Sequence, residues 1–69
     1  MVLKECSKGD VKKILGFGCG LDNSRMVALG FFIGEKIVVI KKKKSGMVIK
    51  ISNTLYAIDN SISEGVVVE

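Results

Sequence analysis

The sequence predicts a small, mainly β fold: about five short strands curled into a barrel, with one short helix inserted after the first long strand. Three observations carry this expectation. Short aliphatic runs recur along the chain, each bounded by glycine or by small polar residues, as in strands joined by tight turns. One stretch, residues 24–29, has helix punctuation, with polar caps before it and Gly30 after it. Finally, 48% of the 69 residues are apolar and none is proline. A two-stranded ribbon cannot bury that much apolar side chain, whereas strands curled on themselves can, and closure also hides sheet edges. The length allows a single domain, 1–69, with a core small enough to make the fold marginal.

Val2 and Leu3 form a short apolar lead. Ser7, Lys8, Gly9 and Asp10 then signal a turn, since serine and aspartate bond locally and glycine frees φ. Residues 11–17 read as the first strand. Its alternation is broken where Ile14 and Leu15 are adjacent, so one of them is expected at a bulge or near an edge. Three glycines, at 16, 18 and 20, follow at alternate positions. Their spacing does not fit a dinucleotide fingerprint, and no lysine with serine or threonine follows as in a phosphate-binding P-loop. The segment reads as a flexible strand-to-helix connection. Asp22, Asn23 or Ser24 can cap the helix, and Gly30 can end it in a left-handed conformation.

Gly34 permits a tight turn before the strongest strand, residues 35–42. The unbroken run of Ile37, Val38, Val39 and Ile40 implies burial on both faces or strong curvature. Ser45 and Gly46 are expected as a hairpin turn. The return strand, 47–52, places Met47, Ile49 and Ile51 on one face and Val48, Lys50 and Ser52 on the other. Asn53 and Thr54 turn again, and 55–58 form a third meander strand. Asp59 can cap a single helical turn, and Val66, Val67 and Val68 close the chain as a last strand. The architecture is that of an SH3-like barrel with a helical insert.

Composition narrows the function. Cys6 and Cys19 are too few for a disulfide scaffold and are read as free thiols. With no histidine, neither a closed zinc site nor a histidine base is available. The seven acidic residues sit at turns and ends without pairing, and separated thiols with scattered acids make a poor ferrous site. A Cys19 nucleophile near the helix start is the one catalytic candidate, and it lacks an evident base. The prediction is therefore no enzyme, no cofactor and no metal ligand. No apolar run approaches the roughly twenty residues of a membrane span, and 1–5 lack a signal-peptide core, so a cytoplasmic location is expected. The net charge of +4 makes a modest case for an anionic partner. Lys41, Lys42, Lys43 and Lys44 sharpen it. They read as a solvated hairpin tip that discourages edge-to-edge aggregation, or alternatively as a nucleic-acid contact.

The chain resembles the FeoA family, ferrous iron transport protein A. The resemblance is carried by Gly9-Asp10, Ile14 with Gly16, Arg25 ahead of Met26, and Leu29-Gly30. It continues through Gly34 before Val38, Gly46, Ile49, Leu55 with Ala57 and Ile58, and the ending Val66 to Glu69. It spans nearly the whole chain. It implies a cytosolic SH3-like barrel working beside FeoB, a membrane ferrous-iron transporter with a cytosolic G-protein domain. A similar domain ends regulators that resemble the diphtheria toxin repressor, but this length leaves no room for their DNA-binding parts. Where many members carry two basic residues before a helix leucine, this chain has Ser24-Arg25 and then Met26. Where proline often precedes the turn glycine, it has Ile33.

The implied role is a non-enzymatic accessory protein that docks on the transporter through the helix and adjoining loops, and meets the membrane only through that partner. Arg25, the only arginine, can fork onto a partner's carboxylate or phosphate, or bond barrel carbonyls or a neighbouring acid. Met26 and Leu29, three apart, share a helix face that is either a docking face or core packing, the simpler reading for Leu29. Phe31 and Phe32 point oppositely if extended, leaving one for a partner. The candidate partner-binding residues are Arg25, Met26, Leu29 and Phe32.

Overall fold

The computed structural model describes residues 1–18 and 20–69. Cys19, considered above as a thiol nucleophile, lies outside them. A single 3-10 turn, Leu3–Glu5, precedes β1 (Val11–Phe17). Then come α1 (Asn23–Leu29), β2 (Lys36–Lys43), β3 (Gly46–Ile51), β4 (Thr54–Asp59), α2 (Asn60–Gly65) and β5 (Val66–Val68). The strands form one antiparallel sheet in the order β4-β3-β2-β1-β5. This is the mainly β, five-stranded architecture expected from the sequence, with the helical insert where the caps place it.

The inner face carries the core. Ile14, Ile37, Val39, Ile49 and Val66 are all at most 1% exposed. Leu3 and Cys6 reach the same core from the N-terminal lead. On β3 the expected alternation holds, with Met47, Ile49 and Ile51 buried and Val48 and Lys50 partly exposed. The β2 run departs from burial on both faces: Ile37 and Val39 are buried, while Val38 is intermediate and Ile40 is exposed. A register shift between Val39 and Lys41 leaves Ile40 as the extra residue. Such a bulge bends and twists the strand, so the run encodes curvature. A second shift between Ile14 and Gly16 leaves Leu15 at 46% exposure, and it accounts for the broken pattern of β1.

Two turns sit one residue earlier than the sequence suggests. The β2–β3 hairpin turns at Lys44-Ser45, with Gly46 already paired to Lys43 and Asp59. Glycine at 46 serves strand packing: a Cβ there would collide with the Ile58 carbonyl oxygen. The β3–β4 hairpin turns at Ser52-Asn53, with φ of 48° and 67°. Two successive positive φ values match the twist of the flanking strands, and asparagine tolerates them.

Closure differs from a continuous ladder. Among the described residues β4 and β5 do not pair, and α2 spans the seam between them. Asp59 caps α2 as expected, its carboxylate accepting from Ile62 N at 3.0 Å and from Ser61 Oγ at 2.7 Å. The helix runs to Gly65, past the single turn foreseen. The outer edge of β5 is covered in part by the N-terminus, through a Val2–Val67 bridge and a Val68 N to Met1 O bond of 2.8 Å.

Candidate functional site

The chain from 20 to 35 builds the surface that the sequence singled out. Asp22 is the N-cap of α1. Its carboxylate accepts from Ser24 N at 2.9 Å, and its carbonyl takes the first helical bond from Met26 N at 2.9 Å. At the other end Gly30 has φ 103°. Phe31 N donates to Met26 O and Gly30 N to Val27 O, each at 2.9 Å. This is the double bond pattern of a glycine-terminated helix, in which the residue after the glycine packs back on the last turn. That residue is Phe31, 1% exposed, with its ring 5.2 Å from Tyr56 at a 60° tilt. A Cβ on Gly30 would also stand 2.5 Å from the Tyr56 hydroxyl.

The stop then throws the next side chains outward. Phe32 to Glu35 form a turn closed by Glu35 N to Phe32 O at 3.1 Å, with Gly34 at φ 95°. Gly34 N and Ile14 N bond across to Ile14 O and Glu35 O, so β1 holds the turn in place. Phe32 and Ile33 project from it at 47% and 64% exposure, and the expected opposition of Phe31 and Phe32 holds.

The helix divides differently from the sequence reading. Met26 is buried at 2%, whereas Leu29 is 47% exposed. Leu29 is therefore not core, contrary to the simpler reading, and Met26 contributes packing more than accessible surface. A three-residue step rotates about 300°, which separates the two enough for a short helix touching the barrel along one narrow line to bury only the first. Val27, 44% exposed, adds a further apolar side chain that its residue type alone does not mark as exposed. Ile33, where relatives often carry proline, is exposed because it stands beside the turn glycine.

Arg25 is exposed. Among the described residues its guanidinium has no hydrogen-bond or ion-pair partner. It lines a groove of about 300 Å³ between α1 and α2, together with the apolar Leu21, Met26, Leu29 and Ile62 and the acidic Asp22 and Asp59. The hydrogen bonds from Ser61 and from the Ile62 amide hold the Asp59 carboxyl below its ordinary pKa. Both groove carboxylates, Asp22 and Asp59, are thus committed to helix caps. Among the described residues no three histidine, cysteine, aspartate or glutamate side chains gather as a metal site. Cys6 is buried, and burial pushes its thiol pKa up, away from the reactive thiolate. Among the described residues no helix is long and apolar enough to cross a membrane.

The fold is shared with solved FeoA structures. Iron(II) transport protein A of Clostridium thermocellum superposes at a TM-score of 0.86 with 22% identity, over all of this chain and 44% of that one. The chain thus spans less than half the length of that relative. The FeoA protein of Chlorobium tepidum gives 0.83 and 20%, over 99% of this chain and 68% of its own. The zinc complex of Stenotrophomonas maltophilia FeoA, described as an SH3 domain protein, gives 0.84 and 22%, over 100% and 89%. No curated protein sequence is significantly similar. The sequence model of the FeoA domain matches residues 1–69, the whole chain, and the protein therefore belongs to the FeoA family.

Proposed function

We propose that this chain is a non-enzymatic accessory factor of ferrous iron transport, acting on the cytoplasmic side of a FeoB-type membrane transporter. Family membership supports the process, and the S. maltophilia relative is itself described as a candidate activating factor for ferrous iron transport. The observation that carries the docking reading is the surface of α1 and the following turn. Leu29, Phe32 and Ile33 expose apolar side chains within five residues, and Arg25, without an ion-pair partner among the described residues, stands one turn before them. An apolar centre beside a free guanidinium is the composition of a protein-binding patch, where arginine supplies forked, oriented bonds. The turn is pinned by backbone bonds to β1, so little ordering entropy opposes binding. Any effect on transport follows from binding one conformation of the transporter better than another.

The test is an amide-shift titration of the labelled protein with the transporter's cytosolic domain, with and without guanine nucleotide. The expected result is a cluster of shifts from 23 to 33, weakened by Phe32→Ala. An absence of shifts at high partner concentration overturns docking on that domain.

A further inference from the structure

The outward face of the sheet carries a second surface that shares no residue with α1. Val11 pairs with Val38, Val38 with Lys50, and Lys50 with Leu55, so these four stand in one row across β1, β2, β3 and β4. Their neighbours Ile37, Ile49 and Ile51 are buried, which puts the row on the outside. Val11 and Leu55 are 57% and 62% exposed. Beside the row, Lys13 pairs directly with Lys36, and beyond the Ile40 bulge Lys41 and Lys43 return to the same face opposite Val48 and Gly46.

Lys13, Lys36, Lys41, Lys43 and Lys50 thus surround an aliphatic strip. Two acids lie in these rows: Asp59, which is turned to capping α2, and Glu69, which exchanges backbone bonds of 3.3 and 3.0 Å with Lys13 and so stands opposite it. Five lysines against these two acids place +3 of the chain's net charge of +4 on this face. Among the described residues the sole ion pair is Lys4–Glu64, on another surface, and none of the five lysines has an acidic partner. Like charges directly opposite, as at Lys13 and Lys36, destabilise a sheet. Among the described residues no ion pair offsets that repulsion, whereas an external anionic surface would.

We propose that this face binds an anionic lipid bilayer surface, with the lysines in the headgroup layer and Val11 and Leu55 against the headgroup–acyl boundary. Lysine is a point charge on a flexible stem. It suits a diffuse array of phosphates better than one oriented carboxylate, and its stem lies well along apolar surface. A polynucleotide fits less well. Bases stack on aromatic rings, and this face has none: Phe31 is buried, and Tyr56 lies on the inward side opposite Ile49.

The test is co-sedimentation of the full chain with vesicles of phosphatidylcholine, with and without phosphatidylserine. No transporter is present, so the result is independent of the docking reading. Each lysine at such a surface is worth roughly a five-fold gain in partitioning. Binding is expected only to the serine-lipid vesicles, falling steeply with salt. The variant K36Q/K41Q should lose about 25-fold, while K4Q/K8Q, with the same change in net charge, should lose less than about three-fold. Amide spectra establish that both variants are folded. Failure to bind anionic vesicles at low salt, equal loss in the two variants, or displacement by polynucleotide at equal phosphate concentration would each overturn the proposal.

Discussion

Replacing Met26 and Leu29 by alanine, one at a time, separates the packing of α1 from the surface it presents. The two lie three residues apart on one seven-residue helix and are both large and apolar, yet they are 2% and 47% exposed. For Met26→Ala the buried atoms leave a cavity in the core, at a cost of about 2–5 kcal/mol. A domain of this size has a total stability of roughly 3–10 kcal/mol. The loss is therefore a large fraction of the whole, and it lowers Tm by about 4–8 °C for each kcal/mol. For Leu29→Ala only about half of a leucine's 1.5–3 kcal/mol of burial is at stake, and alanine's helix propensity returns a few tenths. The net change is about 1 kcal/mol or less. Urea unfolding followed by far-UV circular dichroism measures both, and an unchanged m-value certifies that the unfolded states match. Equal costs in the two variants would refute the division of the helix, because Leu29 would then be packed and unavailable to a partner. A cost below about 1 kcal/mol for Met26→Ala would refute the docking of α1 on the barrel through that side chain.

Gly46→Ala drives a methyl into the Ile58 carbonyl and should open the β3–β4 pairing, at a cost above about 2 kcal/mol, read as a lowered urea midpoint. The depressed pKa of Asp59 has a definite sign. Its carboxylate is better stabilised in the folded chain, so its contribution is fully present above the ordinary aspartate range and is lost as pH falls through the lower folded value. Carboxyl-shift titration should give Asp59 a midpoint below the usual aspartate value, with the Ile62 amide moving in step; a normal midpoint would contradict the cap.

Much of this molecule is legible along the chain because it depends on neighbours in sequence. Caps, glycine stops and period-two patterns are local, so β1, α1, the α2 cap at Asp59 and β5 can be read directly. The two hairpin turns slip by one residue because their register is set across strands. The contact of Gly46 with Ile58, which lies on the neighbouring strand β4, fixes a glycine that looks like a turn residue. The bulge at Ile40 likewise needs β3 opposite it to be recognised.

The candidate surfaces divide in the same way. Arg25, Phe32 and the Phe31–Phe32 opposition follow from residue type and local geometry. The fates of Met26 and Leu29 do not, because helical spacing gives a shared side but not the line along which the barrel touches it. The lysine face is spread over three strands, and its members meet only when antiparallel pairing brings 13 opposite 36 and 38 opposite 50. Sequence alone thus determined what each short segment would become. Tertiary structure decided which side chains share a surface and which are covered, since burial and charge proximity are properties of through-space packing.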